Sequence, residues 1–177
     1  MSETYTRTET MPMIALRGLN MFPGMMLTFD VERESSLGAL EMAVKGNRNI
    51  FLAAQKDISV DIPEENDIYS VGVVCRVKQQ LRQPRSSVCR VMVEGLYRAR
   101  AEHMELSAKA YTAEVTELPD KAERVSEERL IALIRNCLSL YHDYLAENPE
   151  SITEQIINVL AVNEPGGVAN HIAHNVH

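Results

Sequence analysis

The sequence predicts an α+β protein: a small closed or half-closed β-barrel of about six strands with one early helix, followed by an all-α segment. Three observations carry that expectation. Short apolar runs bounded by turn residues fill positions 13–118. One stretch of helical spacing interrupts them at positions 35–44. At Pro119 the composition turns charged and the apolar period changes from two residues to about 3.6. A chain of 177 residues with 45% hydrophobic content holds a real core, as one large domain or one domain plus part of a second.

Residues 1–10 are polar, rich in Thr and aperiodic, and read as a disordered leader before a β domain at 11–118. Residues 14–21 and 26–31 are strand-like runs joined by Phe22-Pro23-Gly24, where Pro23 fixes φ and lacks a donor while Gly24 frees φ. Met21, Phe22, Met25 and Met26 crowd this corner, so its tip is apolar where a turn is normally solvated. Either these side chains cap the end of a barrel, or they form a surface for a partner.

Leu37, Leu40 and Val44 then fall at helical spacing, with Ser35 or Ser36 able to cap the helix and Gly46 able to end it. Residues 50–54 are a continuous apolar run of strand length, and 57–67 form an acidic loop containing Pro63. Residues 71–81 and 88–96 predict a long hairpin, in which Val71, Val73, Cys75 and Val77 alternate with polar or small partners. Residues 98–106 and 111–118 complete the strands.

Residues 119–125 form a charged linker. Beyond it, Leu130, Ile134, Cys137, Tyr141 and Tyr144 recur four and three apart, widened by Leu133, Leu138, Leu140 and Leu145. This predicts an amphipathic helix over 126–147 capped by Ser126. A capping box from Ser151 to Glu154 starts a second helix through Ala161, and Pro165 stands at the first position of a third. The helical segment 126–177 reads as the start of a bundle whose core is incomplete and truncated.

No apolar run approaches the roughly 18 residues that would span a bilayer, and the N-terminus lacks a signal-peptide pattern, which predicts a cytoplasmic protein with no membrane partner. Cys75, Cys89 and Cys137 show no C-x-x-C spacing and read as small buried hydrophobes. The net charge of −7 argues against general nucleic-acid binding. It is uneven, however, because positions 76–100 carry seven Arg and Lys against Glu94 alone, a local +6. Only Tyr97 offers an aromatic platform there, so base stacking is poorly served.

The eight glycines form no phosphate-cradling Gly-x-x-x-x-Gly-Lys-Ser/Thr loop, so no nucleotide site and no catalytic residue is assigned. His171, His174 and His177 are spaced three apart, but positions six apart diverge around a helix and no acidic or thiol partner is near; no metal is assigned.

Leu16-Arg17-Gly18-Leu19 with Phe22-Pro23-Gly24-Met25 resembles the opening of the N-terminal domain of the Lon family of ATP-dependent proteases. Residues 50–57, 69–74 (Tyr-Ser-Val-Gly-Val-Val) and 91–100 (Val-Met-Val-Glu-Gly-Leu-Tyr-Arg-Ala-Arg) resemble the family's later strands in the same order. The likeness covers roughly residues 12–172 and marks Arg17, Gly18, Gly24, Gly72, Glu94 and Gly95 as family-motif structural positions. Ala15 stands where the family usually has Pro.

The resemblance implies a PUA-like pseudo-barrel that recognises unfolded or damaged proteins and helps a hexamer assemble. It also implies that ATP, Mg²⁺ and the Ser-Lys protease chemistry belong to other domains of a longer parent. The candidate surface is Met21, Phe22, Pro23, Met25 and Met26 together with Leu81 and Pro84 of the hairpin tip, on the expectation that both loops lie at one barrel end. The alternative is a stand-alone PUA-like module binding RNA or a regulatory protein through positions 76–100.

Overall fold

A computed structural model describes residues 8–82, 87–107, 109–120, 125–148 and 165–176. The chain divides into two compact units, Met1–Pro119 and Asp120–His177. The first contains β1 (Thr8–Leu16), β2 (Met26–Val31), α1 (Glu34–Lys45), β3 (Asn49–Ala54), β4 (Val71–Arg82), β5 (Cys89–Leu106) and β6 (Tyr111–Glu117). The second contains α2 (Glu127–Glu147) and α3 (Pro165–Asn175).

The six strands form one sheet in the order β2-β5-β4-β3-β1-β6, and a further β5–β6 pairing closes five of them into a ring. β1 and β3 run parallel, which their connection through α1 permits; the remaining pairings are antiparallel. Among the described residues β2 pairs with β5 alone and stands outside the ring.

Two cores result, one on each face of the sheet. Met13, Phe51, Val74, Ala99, Tyr111 and Val115 fill one. Ile14, Leu52, Val73, Cys75, Val77, Val91, Val93 and Phe29 fill the other, where α1 contributes Ala39, Leu40 and Ala43. Successive residues of β1 and β3 therefore serve opposite cores, which is why these strands read as continuous apolar runs.

β5 serves both cores by another device. Val74 pairs with Tyr97 but Cys75 pairs with Gly95, so Leu96 is an extra residue in the ladder. Odd positions 89, 91 and 93 face the α1 side, whereas odd positions 99 and 101 face the ring interior. A second irregularity at Glu102 returns Met104 to that interior.

Several expectations are corrected. β1 begins at Thr8, whose register with Thr116 of β6 takes residues 8–10 out of the leader. It ends at Leu16 rather than at position 21. Residues 88–96 and 98–106 are one 18-residue strand, because the bulge lets the chain continue where a break was expected. In α1, Arg33 occupies the N-cap position without a side-chain cap, and Ser35 and Ser36 are buried within the helix. Ala39 and Ala43 join Leu40 at the core while Leu37 and Val44 are only half-buried. Gly38 explains that rotation: a Cβ there would lie 1.7 Å from the Lys109 carbonyl oxygen, so the helix sits against backbone on its small-residue face. Gly46 ends the helix, donating to the Ala43 and Met42 carbonyls.

In the helical unit, the Ser126 hydroxyl accepts a hydrogen bond from the Arg129 amide at 3.4 Å. Tyr141, Leu145 and Val168 are buried together, with Ile134, Leu138, Tyr144 and Ile172 around them. Cys137 is exposed, unlike buried Cys75 and Cys89, because it lies off that seam. The second helix expected from position 151 lies outside the described residues.

Candidate functional site

Residues 17–25 join β1 to β2, yet those strands do not pair with each other, so the Phe22-Pro23-Gly24 corner is not a hairpin. It is a loop docked on β5. The Gly24 amide donates to the Gly95 carbonyl at 2.9 Å, the Gly95 amide donates to the Met25 carbonyl at 2.8 Å, and the Met25 amide donates to the Phe22 carbonyl at 3.3 Å. A Cβ on residue 95 would fall 2.3 Å from the Phe22 carbonyl oxygen, so only glycine lets the loop approach. Gly24 (φ +78°) and Gly18 (φ +66°) take left-handed conformations that fix the two bends.

Docking divides the apolar residues of the corner. Met21 is buried, Met25 packs half-buried against the core, and Phe22 and Pro23 are half-buried. Met26 stands 49% exposed on the outer face of β2. Leu81 is 60% exposed, but it pairs with Arg90 whereas Met26 pairs with Glu94. Four residues of β5 separate the two positions, roughly 13 Å at strand rise. The corner lies at the Gly95 end of the β2–β5–β4 strip and the hairpin at its Cys89 end, so the structure does not bring the two loops together. Pro84 lies outside the described residues.

Other residues gather at the corner instead. Phe22, Asn20 and Leu16 line a cleft of about 250 Å³ with Tyr69, Val71 and Arg98 from the start of β4 and from β5. Leu19, Tyr69 and Val71 are exposed. Ile58, also exposed, lies 3.9 Å from the Cβ that residue 18 would carry. Sequence reasoning passed over these four: Val71 begins an alternating run and Tyr69 abuts it, so both read as ordinary strand residues.

The loop at 57–67 is fastened by polar contacts. The Arg17 guanidinium donates to Asp61 Oδ1 at 2.8 Å and to the Val60 carbonyl at 3.2 Å. Arg33 donates to Gln55 Oε1 at 3.2 Å and to the Val60 carbonyl at 3.4 Å. Gln55 Nε2 donates to the Asp57 and Val60 carbonyls, both at 2.6 Å. Hydrogen bonding to Arg17 holds the Asp61 carboxyl below its usual pKa, and burial followed by the neighbouring Arg17 lowers that of Arg33.

The family model described as the ATP-dependent protease La (LON) substrate-binding domain matches residues 10–177. The chain belongs to the Lon substrate-binding domain family. It is 37% identical over 173 residues to a Lon protease of Bacillus thuringiensis, covering 98% of this chain and 21% of that protein. A Lon protease of Clostridioides difficile is 34% identical over 181 residues, covering 100% and 23%. The chain thus spans about a fifth of the length of the curated relatives it matches. In fold it is similar to the N-terminal domain of a Mycobacterium avium complex Lon protease, with TM-score 0.72 at 20% identity, covering 92% of this chain and 80% of that one.

As a Lon-family domain, the chain shows what its motif residues do physically. Gly24 and Gly95 make the corner dock, and Gly18 makes the preceding bend. Gly72 admits the Leu52 carbonyl, which a Cβ would meet at 2.3 Å, and the Phe51 ring at 2.7 Å. Glu94 pairs with Lys78 at 3.0 Å, and Arg17 fastens the acidic loop.

Three of the seven basic residues at positions 76–100 of this Lon-family domain meet carboxylates. Arg90 meets Asp30 through two hydrogen bonds of 2.8 Å, Arg82 contacts Glu41, and Lys78 takes Glu94. These contacts lower the pKa of Asp30 and Glu41 and raise those of Arg90 and Arg82. Burial pushes the Cys75 thiol up, leaving it a poor nucleophile. Among the described residues there is no cluster of three or more His, Cys, Asp or Glu able to hold a metal, and no helix long and apolar enough to cross a membrane.

Proposed function

We infer that this chain is a noncatalytic capture domain of a Lon-type ATP-dependent protease, holding unfolded or damaged protein segments at the corner surface for processing by other domains. One observation carries the reading: the loop 17–25 is locked on Gly95 by backbone hydrogen bonds, yet it leaves Leu19 exposed and Phe22 half-exposed beside Tyr69 and Val71, with Met26 exposed directly after it. A rigid loop that displays apolar side chains offers contact area without ordering cost on binding. Methionine adapts to varied sequences, which suits a surface that must accept many segments.

The parent would supply ATP, Mg²⁺ and the protease chemistry elsewhere, in the cytoplasm. Assembly as a hexamer would then multiply a weak single-site affinity by raising effective concentration. The test titrates the chain and a Leu19→Asp, Met26→Asp variant with a fluorescein-labelled, permanently unfolded protein. The variant is expected to bind at least tenfold more weakly, while Leu81→Asp, roughly 13 Å along the strip, binds as the parent chain does. Equal binding by all three overturns the corner as the capture surface.

A further inference from the structure

We propose that captured segments bind as an added β-strand in the gap between β1 and β2, so that recognition is by backbone as well as by apolar side chains. The proposal rests on the capture reading and specifies its geometry.

The pairing registers leave that gap open. β6 covers β1 from Thr8 to Met13, so among the described residues Ile14, Ala15 and Leu16 pair on one side alone, with β3. β2 pairs with β5 along its whole length, and among the described residues no strand lies on its other side. Alternate residues of an edge strand turn their amide and carbonyl groups away from the sheet, so both edges carry hydrogen-bonding groups that no described strand takes; Ile14, Ala15 and Leu16 are buried, so a partner chain reaches them through the cleft between the edges.

The two edges line one cleft of about 190 Å³, with consecutive residues Ile14 to Arg17 on one side, Phe29 to Arg33 on the other and Ser36 of α1 also bordering it. Lining by consecutive residues means that backbone, not only side chains, borders the space. The volume falls below the roughly 300 Å³ of a small-molecule pocket. It suits the few side chains of a strand whose backbone runs along the opening. Leu19, exposed, also lines this cleft and links it to the corner surface.

Charge selects the occupant. Among the described residues, the hydrogen bonds of Arg33 go to neutral oxygens of Gln55 and Val60, and Arg17 lies close enough to disfavour its charge. Asp30 at the opposite edge is engaged by Arg90. Asp61 acts on Arg33 only at a distance while hydrogen-bonded to Arg17, so a carboxylate entering the cleft beside Glu32 would meet a guanidinium that no described carboxylate hydrogen-bonds. The fitting partner is an extended peptide of alternating apolar and small polar residues carrying one Asp or Glu.

The test uses the whole 177-residue chain and three fluorescent decapeptides: one alternating Leu with Ser and bearing a central Asp, the same peptide N-methylated at alternate amides, and its Asp→Asn form. Loss of two or three backbone hydrogen bonds predicts at least tenfold weaker binding of the methylated peptide. The Asn form is expected to bind several-fold more weakly. Amide hydrogen exchange should slow at positions 14–16 and 26–31 when the unmodified peptide is present. Equal binding of the methylated and unmodified peptides, or no added protection at those positions, overturns strand addition while leaving apolar capture standing. Failure of the unmodified peptide to bind, when the labelled unfolded protein still does, overturns it equally. If neither binds, the capture reading falls as well.

Discussion

In the β unit, Met13, Phe51 and Val74 are wholly buried by strands far apart in sequence, whereas in the helical unit Leu133 and Leu140 face outward on the same helix that buries Tyr141 and Leu145. Both regions are rich in apolar residues; they differ in how many directions closure comes from. A ring of strands with α1 on one face surrounds its side chains. Among the described residues, α2 and α3 cover only a seam, and the stripe on α2 is wider than a seam. The apolar groove that remains, about 680 Å³ between α2 and α3, is lined by Leu130, Leu133, Cys137, Leu140 and Val176 among others. Apolar content alone therefore says little about burial; the number of independent covering elements decides it.

The contrast can be broken most severely at Phe51. Phe51→Ala removes a ring that is fully buried and touches Gly72, and it is expected to cost about 4 kcal/mol, read as a lower urea midpoint for the β unit. A loss below about 1 kcal/mol would show that the ring core repacks freely. Gly95→Ala comes next, at about 2 kcal/mol, because the new methyl meets the Phe22 carbonyl oxygen and must push the corner off β5. Amide exchange at Gly24 is expected to accelerate in that variant, and unchanged exchange would contradict the dock.

Ser126→Ala should reduce the stability of α2 by about 1 kcal/mol, visible as lost helical circular dichroism with the β unit unaffected. Smallest is Leu140→Ser on the exposed face, expected to move stability by no more than about 0.5 kcal/mol while lowering binding of a hydrophobic dye. A large loss of stability there would mean that the face is buried, and the contrast between the units would disappear.

Much of this architecture was legible because it is local. Val73, Cys75 and Val77 alternate in the sequence and point to one core; Ser126 and Gly46 punctuate helices where their chemistry allows. The glycines of the corner were readable as turn residues, but not what they approach. Gly95 is explained only by the Phe22 carbonyl and Gly38 only by the Lys109 carbonyl, contacts distant in sequence. The candidate site failed in the same way. Met25 and Met26 are neighbours in sequence and opposite in fate, and Leu81 is separated from them by a register that no local pattern specifies. Ile58 and Tyr69 reach the corner through an acidic loop whose fastening depends on Arg17, Arg33 and Gln55 meeting at the Val60 carbonyl.

The extra residue at Leu96 gives β5 something like a reading frame. Upstream of it odd-numbered side chains belong to one core and Ala99 and Ala101 belong to the other, until the second irregularity at Glu102 passes the phase to Met104. Removing or adding one residue anywhere between Val93 and Ala99 would shift that phase and turn half of the strand inside out. Length variation in relatives should accordingly collect in the 57–67 loop, which is fastened by side chains rather than by register, and avoid β5, whose sequence can change more freely than its count.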